Sequence, residues 1–179
     1  MKDGASLPIV NFPTRVRNDE LEGPNPFEWR QVSSSFLFGG NKLNKRVVIF
    51  SLPGAFTPTC STYQLPGFEN NAQAFYDAGI DDIYCVSVND SFVMNCWAKD
   101  QGLENVKVVP DGSGRFTRQM GMLVDKDNLG FGYRSWRYAA VVKNGVVEKW
   151  FEEPGREDNH GEDPYGETSP ENVLKYLNA

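Results

Sequence analysis

The sequence predicts an α/β sandwich: a central mixed β-sheet flanked by helices, with an N-terminal extension, in one domain of 179 residues. Three observations predict it. Two near-continuous apolar runs, RVVIFSL at 46–52 and DIYCVSV at 82–88, are short and rich in β-branched residues, so they read as strands covered on both faces. Helical stretches separate these runs, and a helical crossover makes its flanking strands parallel. Further on, 134–142 and 146–151 flank Asn144-Gly145, a two-residue hairpin signal that adds an antiparallel part.

The elements follow in order. Residues 1–30 are rich in Pro, Asn and charge and read as an extended lead-in. The strand 46–52 is followed by Thr57-Pro58, where Thr suits a helix N-cap and Pro the first helical position. Pro66-Gly67 interrupts that helix, and a second stretch runs over 68–78. After the strand 82–88 comes a helix at 91–100 carrying Phe92, Val93, Cys96 and Trp97. A short third strand at 106–109 and a helical turn at 115–120 precede the hairpin. Residues 152–168 are acidic and turn-like, a solvated loop. Ser169-Pro170-Glu171 then caps a last helix ending at 177. There is no internal repeat. The pattern fits a thioredoxin-like or a flavodoxin-like class and does not choose between them.

Composition removes several functions. Hydrophobic residues make up 40% and charged residues 23%, a globular balance, and the net charge is −6. A phosphate-backbone binder needs a basic face, so neither nucleic acid nor anionic membrane is an expected partner. No apolar run approaches the roughly 20 residues of a membrane helix, and the N-terminus lacks a hydrophobic signal core. Three cysteines, Cys60, Cys85 and Cys96, are too few and too odd for a disulfide framework. Together these point to a reduced, cytoplasmic protein. No Cys-x-x-Cys pair exists. A zinc site would need all three cysteines plus His160, the one histidine, without finger spacing. A Cys-His hydrolase would have to recruit His160 from a Gly-, Asp- and Glu-rich loop. No metal is expected.

The loop after the first buried strand carries the chemistry. Ligand sites in open α/β sheets lie at the C-terminal ends of strands, where PGAFTPTC, 53–60, falls here. A flavodoxin-like class wants an anion-binding loop at this place; this one holds a cysteine. With Thr57 as N-cap, Cys60 is the third residue of the first turn, near free N–H groups and the positive end of the helix dipole. Both favour thiolate over thiol. The Thr57 hydroxyl can reach the sulfur or the Cys60 amide, and Pro53 and Pro58 stiffen the loop. An isolated cysteine is most often an inert small hydrophobe. A Thr-Pro-Thr-Cys helix start on a strand-end loop favours function.

PGAFTPTC matches P-x-x-x-T-x-x-C at Pro53, Thr57 and Cys60, and so resembles the active-site signature of the peroxiredoxins. The fuller string is similar to the type II, atypical (five) subfamily, including members fused to glutaredoxin. The resemblance continues through IYCVSVND at 83–90, VMN at 93–95 and RSWRY at 134–138, and covers 13–177. It implies a thioredoxin-like fold and a thiol peroxidase acting on hydrogen peroxide and alkyl hydroperoxides. By the same resemblance Cys60 is the peroxidatic cysteine, Thr57 hydrogen-bonds sulfur and peroxide, and Pro53 shields the pocket. Arg137, directly before an apolar strand, looks like the family arginine. Arg134 is the competing candidate, and three residues along a strand places it on the opposite face. No bound cofactor is implied, only an external thiol. Glutathione with glutaredoxin is the expected reductant, with thioredoxin as the alternative. A homodimer packed near the site is implied too, through Phe56, Phe92, Trp97 and Trp136, each of which reads equally well as core.

Magnitudes show what the site must do. A thiol of pKa about 8.5 is roughly 3% ionised at pH 7, and one of about 6 roughly 90%. Nucleophilicity falls with pKa at a Brønsted slope of about 0.4–0.5, which returns most of that gain. The larger part must come from donors aligned on the peroxide: Thr57, Arg137 and backbone N–H groups. Cys85 sits mid-strand and reads as structural. Cys96 is the one internal candidate to resolve a Cys60 sulfenic acid, though a resolving cysteine known on this helix in another subfamily would align near Ala98. A one-cysteine cycle is therefore favoured over resolution by Cys96. A peroxide sensor or relay would share this chemistry, and a non-enzymatic holdase would not need Pro53, Thr57, Cys60 and Arg137 together. The peroxidase reading expects the Cys60 sulfur to be open to solvent and a guanidinium to lie within reach.

Overall fold

The computed structural model describes residues 1–39 and 44–179. Its centre is a five-stranded mixed sheet of order β5-β4-β3-β8-β9. The strands are β3 (Arg46–Ser51), β4 (Asp82–Ser87), β5 (Lys107–Pro110), β8 (Tyr138–Lys143) and β9 (Val146–Glu152). β3, β4 and β5 are parallel, β8 runs antiparallel beside β3, and β9 runs antiparallel to β8 at the sheet edge. This is the thioredoxin-like sandwich with a mixed sheet. The sheet buries both faces, as the apolar runs require. On one side Val48, Phe50, Ile83, Cys85, Ala139 and Val141 pack against helices. On the other Val47, Ile49, Tyr84, Val86, Ala140 and Val142 do. The period of two splits each run cleanly between two cores.

The lead-in is more ordered than an extended segment. Asn11–Arg17 (β1) and Phe27–Ser33 (β2) form an antiparallel hairpin, followed by α1 (Ser34–Phe38). Phe12 and Phe38 seal the second core through edge contacts with Phe116 and Tyr84. The scattered Pro and charge in this stretch hid an alternation that buries few of its residues.

The helix after the site loop begins at Pro58 and is wound as a π turn over Cys60–Gln64, passing into α2 (Leu65–Asn70) and α3 (Ala72–Asp77). Pro66 is tolerated because it falls in the first turn of α2, so the interruption lies at Asn71 rather than at Pro66-Gly67. The helix α4 (Ser91–Asp100) is capped by the Asp90 side chain, which accepts from the Val93 N–H. Beyond β5 come α5 (Arg115–Gln119), β6 (Leu123–Asp125) and β7 (Tyr133–Ser135). The last helix, α6 (Pro170–Leu177), starts at a Ser169 cap. The hairpin turn is as the sequence predicts, with Asn144 and Gly145 at φ of 52° and 78°.

One predicted strand, 134–142, divides in two. β7 pairs with β6 in a separate two-stranded sheet, and β8 starts only at Tyr138. Trp136 N–H leaves to the Met122 carbonyl (2.7 Å), and the Arg137 carbonyl accepts from Glu153 N–H (3.2 Å). Alternation therefore does not run from Arg134 to Arg137.

Candidate active site

Topology delivers the site residues to one edge. β3 ends at Ser51, which pairs with Tyr138 at the start of antiparallel β8. Arg137, immediately before Tyr138, is thus placed beside the loop that leaves β3. Tyr138 also pairs with Glu152 at the end of β9. The acidic loop after β9 consequently starts at the same end of the sheet.

Cys60 opens the π turn, with Leu65 N–H donating to its carbonyl. Arg137 Nη1 donates to Cys60 Sγ at 3.5 Å and also to Gln64 Oε1. Its Nη2 meets Asp163 Oδ1 at 2.6 Å, and the Tyr165 ring lies 5.7 Å from its guanidinium carbon. Arg137 is 1% exposed. Burial works against its charge, and the Cys60 sulfur and Asp163 carboxylate more than restore it, so its pKa lies above the usual arginine value. Gln64 Nε2 and Arg137 Nε are buried donors with no acceptor among the described residues.

Arg134 reaches the same loop from the other side. Its Nη1 donates to the Pro53 carbonyl (3.3 Å) and its Nε to the Phe131 carbonyl (3.1 Å). The expected opposition of the two arginines fails because the strand breaks between them. Burial lowers the Arg134 pKa against an upward pull from Cys60. Gly54 must be glycine for this approach, since a Cβ there would sit 2.5 Å from Arg134 Nη1. The loop is pinned further by Asn89, whose Oδ1 accepts from Ala55 N–H (3.0 Å). Phe56 occupies the left-handed region at φ 62°, a conformation costing a non-glycine residue about 1–2 kcal/mol.

Two expectations change here. The Thr57 hydroxyl donates to the Gly54 carbonyl at 2.7 Å and makes no side-chain cap to the Cys60 amide, because the tight turn 54–57 brings that carbonyl closer. Its lone pairs remain free to accept. The Cys60 sulfur is also not open to solvent: the residue is 0% exposed and packs into the first core. At the start of the π turn, the Cys60 side chain faces inward into that core. A cavity of about 240 Å³ lies in front of the site loop, with Pro53, Thr57 and Pro58 on one wall and Lys126, His160 and Asp163 among the others.

The other cysteines separate clearly. Cys85 is buried in β4, where burial, then the Cys60 sulfur, pushes its thiol pKa well up. Cys96 is exposed on α4, off the face that buries Ser91, Met94 and Trp97. Trp97 and Trp136 belong to the core rather than to an exposed dimer face. Their indole N–H groups donate to Ser61 Oγ (3.0 Å) and the Glu153 carbonyl (2.8 Å). Phe56 and Phe92 are exposed. His160 is taken by Glu157 (2.8 Å) and stacks edge-on against Trp136.

Sequence reasoning missed Gln64, Asp163 and Tyr165. A signal existed for Asp163: an arginine buried beside a sulfur needs a carboxylate, and 152–168 is the acidic segment at that sheet end. Glu153 closes this loop on itself, its carboxylate accepting from Glu167 and Thr168 N–H groups at 3.1 and 2.7 Å.

A thiol held under a buried arginine, at the C-terminal end of the central strand of a thioredoxin-like sandwich, defines a redoxin, and residues 40–165 match the Redoxin family. Within it the chain belongs to the peroxiredoxins, thiol-dependent peroxidases, in their type II, peroxiredoxin-5-like branch. It is 64% identical to a peroxiredoxin of Rhizobium etli, over 97% of this chain and 94% of that one. It is 49% identical to a hybrid peroxiredoxin of Haemophilus influenzae, over 98% of this chain and 66% of the other. The solved structure of the Plasmodium falciparum antioxidant protein, a 1-Cys peroxiredoxin, is similar with a TM-score of 0.87 at 37% identity, covering 99% of both chains.

Proposed function

We propose that the chain reduces hydrogen peroxide and alkyl hydroperoxides through a one-cysteine cycle at Cys60, with an external thiol, glutathione through glutaredoxin, as reductant. The observation that carries it is the Arg137 guanidinium 3.5 Å from the Cys60 sulfur. Once a peroxide reaches the sulfur, the Cys60 thiolate attacks one peroxide oxygen. The S–O bond forms as the O–O bond breaks, and the other oxygen leaves with the electron pair as hydroxide or alkoxide and takes a proton from water. Sulfur loses two electrons and becomes sulfenic acid, and the peroxide gains them. Arg137 holds the thiolate and meets the charge that moves onto oxygen, Thr57 accepts from the peroxide O–H, and Pro53 walls the entrance. An external thiol then displaces water from the sulfenic sulfur, and a second thiol frees Cys60 from the mixed disulfide.

Cys96 points away from the buried face of its helix, and Cys85 is a buried, neutral thiol, which favours an external reductant over an internal partner. That the similar Plasmodium falciparum protein is a 1-Cys peroxiredoxin supports the one-cysteine reading. The exposed Phe56 and Phe92 offer apolar area for a homodimer beside the site. The test is intact-mass measurement after one equivalent of hydrogen peroxide with dimedone, alongside turnover of Cys96→Ala with glutathione and glutaredoxin. A dimedone adduct on Cys60 and undiminished turnover are expected. A Cys60–Cys96 disulfide, or collapse of turnover in the variant, overturns the one-cysteine cycle.

A further inference from the structure

Lys126 is 2% exposed, yet among the described residues no carboxylate or other acceptor bonds its ammonium. Its Nζ lies over the Trp136 ring at 5.5 Å, and the residue lines the cavity in front of Pro53 and Thr57. The segment is held firmly: Lys126 N–H donates to the Gly132 carbonyl (2.8 Å), and the Lys126 carbonyl accepts from Leu129 and Phe131 N–H groups. Two carboxylates share the cavity wall without pairing with it. Asp163 is committed to Arg137, and Glu162 is exposed to water. The ammonium is not among the fully buried unpaired groups, so it meets the water of this cavity, where a cation without a fixed anion offers a charge-assisted hydrogen bond to an anionic ligand. Leu129 and Phe131 give the same cavity an apolar side.

We propose that Lys126 is a carboxylate-binding residue, so that the cavity receives small organic acids whose reactive end reaches Cys60 past Thr57. The inference rests on the peroxidase reading and names the ligand class of that site. At about 240 Å³ the cavity is below the roughly 300–1,000 Å³ of pockets for drug-sized ligands, which selects a short acid over a lipid chain. The carboxylate can belong to the oxidising substrate, an acidic alkyl hydroperoxide, or to the thiol reductant.

The experiment has two kinetic arms and one binding arm. Cys60 oxidation is followed by rapid mixing with a tertiary alkyl hydroperoxide bearing a terminal carboxylate, and with its methyl ester. Reduction of the sulfenic acid is followed with 3-mercaptopropionate and with 2-mercaptoethanol at equal thiolate concentration. The wild type is expected to favour the acid about tenfold in one of the two arms, the gain of one charge-assisted hydrogen bond, and Lys126→Met to bring that ratio below about two. The arm that shows the preference identifies the source of the carboxylate. Calorimetry of the wild type with pentanoate and with pentanamide needs no variant: binding of the acid alone supports the site. Equal rates in both arms, with hydrogen peroxide still reduced, overturn the carboxylate site and leave the peroxidase reading intact. Absent hydrogen peroxide reduction overturns the peroxidase reading, and the calorimetry still decides the site.

Discussion

Arg137 Nη1 lies 3.5 Å from Cys60 Sγ, and the same nitrogen also bonds Gln64. One planar fork therefore ties the sulfur to the next turn of its own helix and, through Nη2, to the acidic loop. A lysine ammonium cannot make all three contacts at once. Arg137→Lys is expected to slow Cys60 oxidation by hydrogen peroxide about 10- to 150-fold, the kinetic equivalent of losing a charge-assisted hydrogen bond worth about 1.5–3 kcal/mol. Stopped-flow rates measured at pH 7 check it, and a loss of less than about threefold would contradict the role given to the guanidinium.

Thr57→Val keeps the branched shape and removes the hydroxyl. The bond to the Gly54 carbonyl goes, and so does the acceptor for a peroxide proton. The rate constant with hydrogen peroxide is expected to fall at least about tenfold. The thiolate absorbance at 240 nm, read in the same samples, is expected to change far less. Parallel, proportional losses in the two signals would place the contribution of Thr57 in ionisation rather than in alignment.

Much of this was readable in the sequence because local rules and tertiary context agree. The two apolar runs, the Ser169 helix start and the Asn144-Gly145 turn follow from period and cap chemistry alone. The P-x-x-x-T-x-x-C string marked the loop. What was not legible depends on contacts distant in sequence. The break between Ser135 and Tyr138 is made by Met122 and Glu153, so a strand pattern could not show it. Cys60 faces inward at the start of a π turn whose residues look helical. Asp163 is 26 positions from Arg137, in a segment whose composition reads as solvent-facing.

The two remaining thiols should differ sharply in reactivity. Burial keeps Cys85 protonated well into the alkaline range, whereas Cys96 is exposed. In Cys60→Ser at pH 8, dithionitrobenzoate is expected to titrate one thiol in the native protein and a second only after unfolding in guanidinium chloride. Two fast thiols would show that β4 opens locally.

Asp163→Asn retains an acceptor for Arg137 Nη2 and removes the charge. Asp163 is 46% exposed while Arg137 is 1% exposed, so water screens the pair from one side. The partly exposed carboxylate sets the scale, about 0.5–1 kcal/mol, or about two- to fivefold in the hydrogen peroxide rate constant. The loss should shrink as salt is added, because the exposed half of the pair is screened. A loss as large as that of Arg137→Lys would mean that the acidic loop governs the guanidinium more than Gln64 and Cys60 do.

Glu69 offers a test of the scaffold that holds the site helix. Its Oε1 accepts from Glu104 and Asn105 N–H groups at 2.7 and 2.8 Å, and its Oε2 from Val106 N–H at 2.7 Å, tying α2 to the segment entering β5. Burial raises its pKa, but the backbone donors outweigh it, and the net displacement is downward. A carboxyl held below its unfolded value of about 4.3 binds its proton more readily once the chain unfolds. The stability it confers is therefore complete above that value and fades as pH falls through the lower, folded one. Glu69→Gln turns one acceptor into a donor facing Val106 N–H, at a cost of about 1–2 kcal/mol, or about 2–8 °C in Tm for a chain of this size. Thermal unfolding at pH 7 should show that full difference, and at acid pH below the folded value the two proteins should converge. A gap that stayed constant across this range would show that the Glu69 charge contributes nothing to the link.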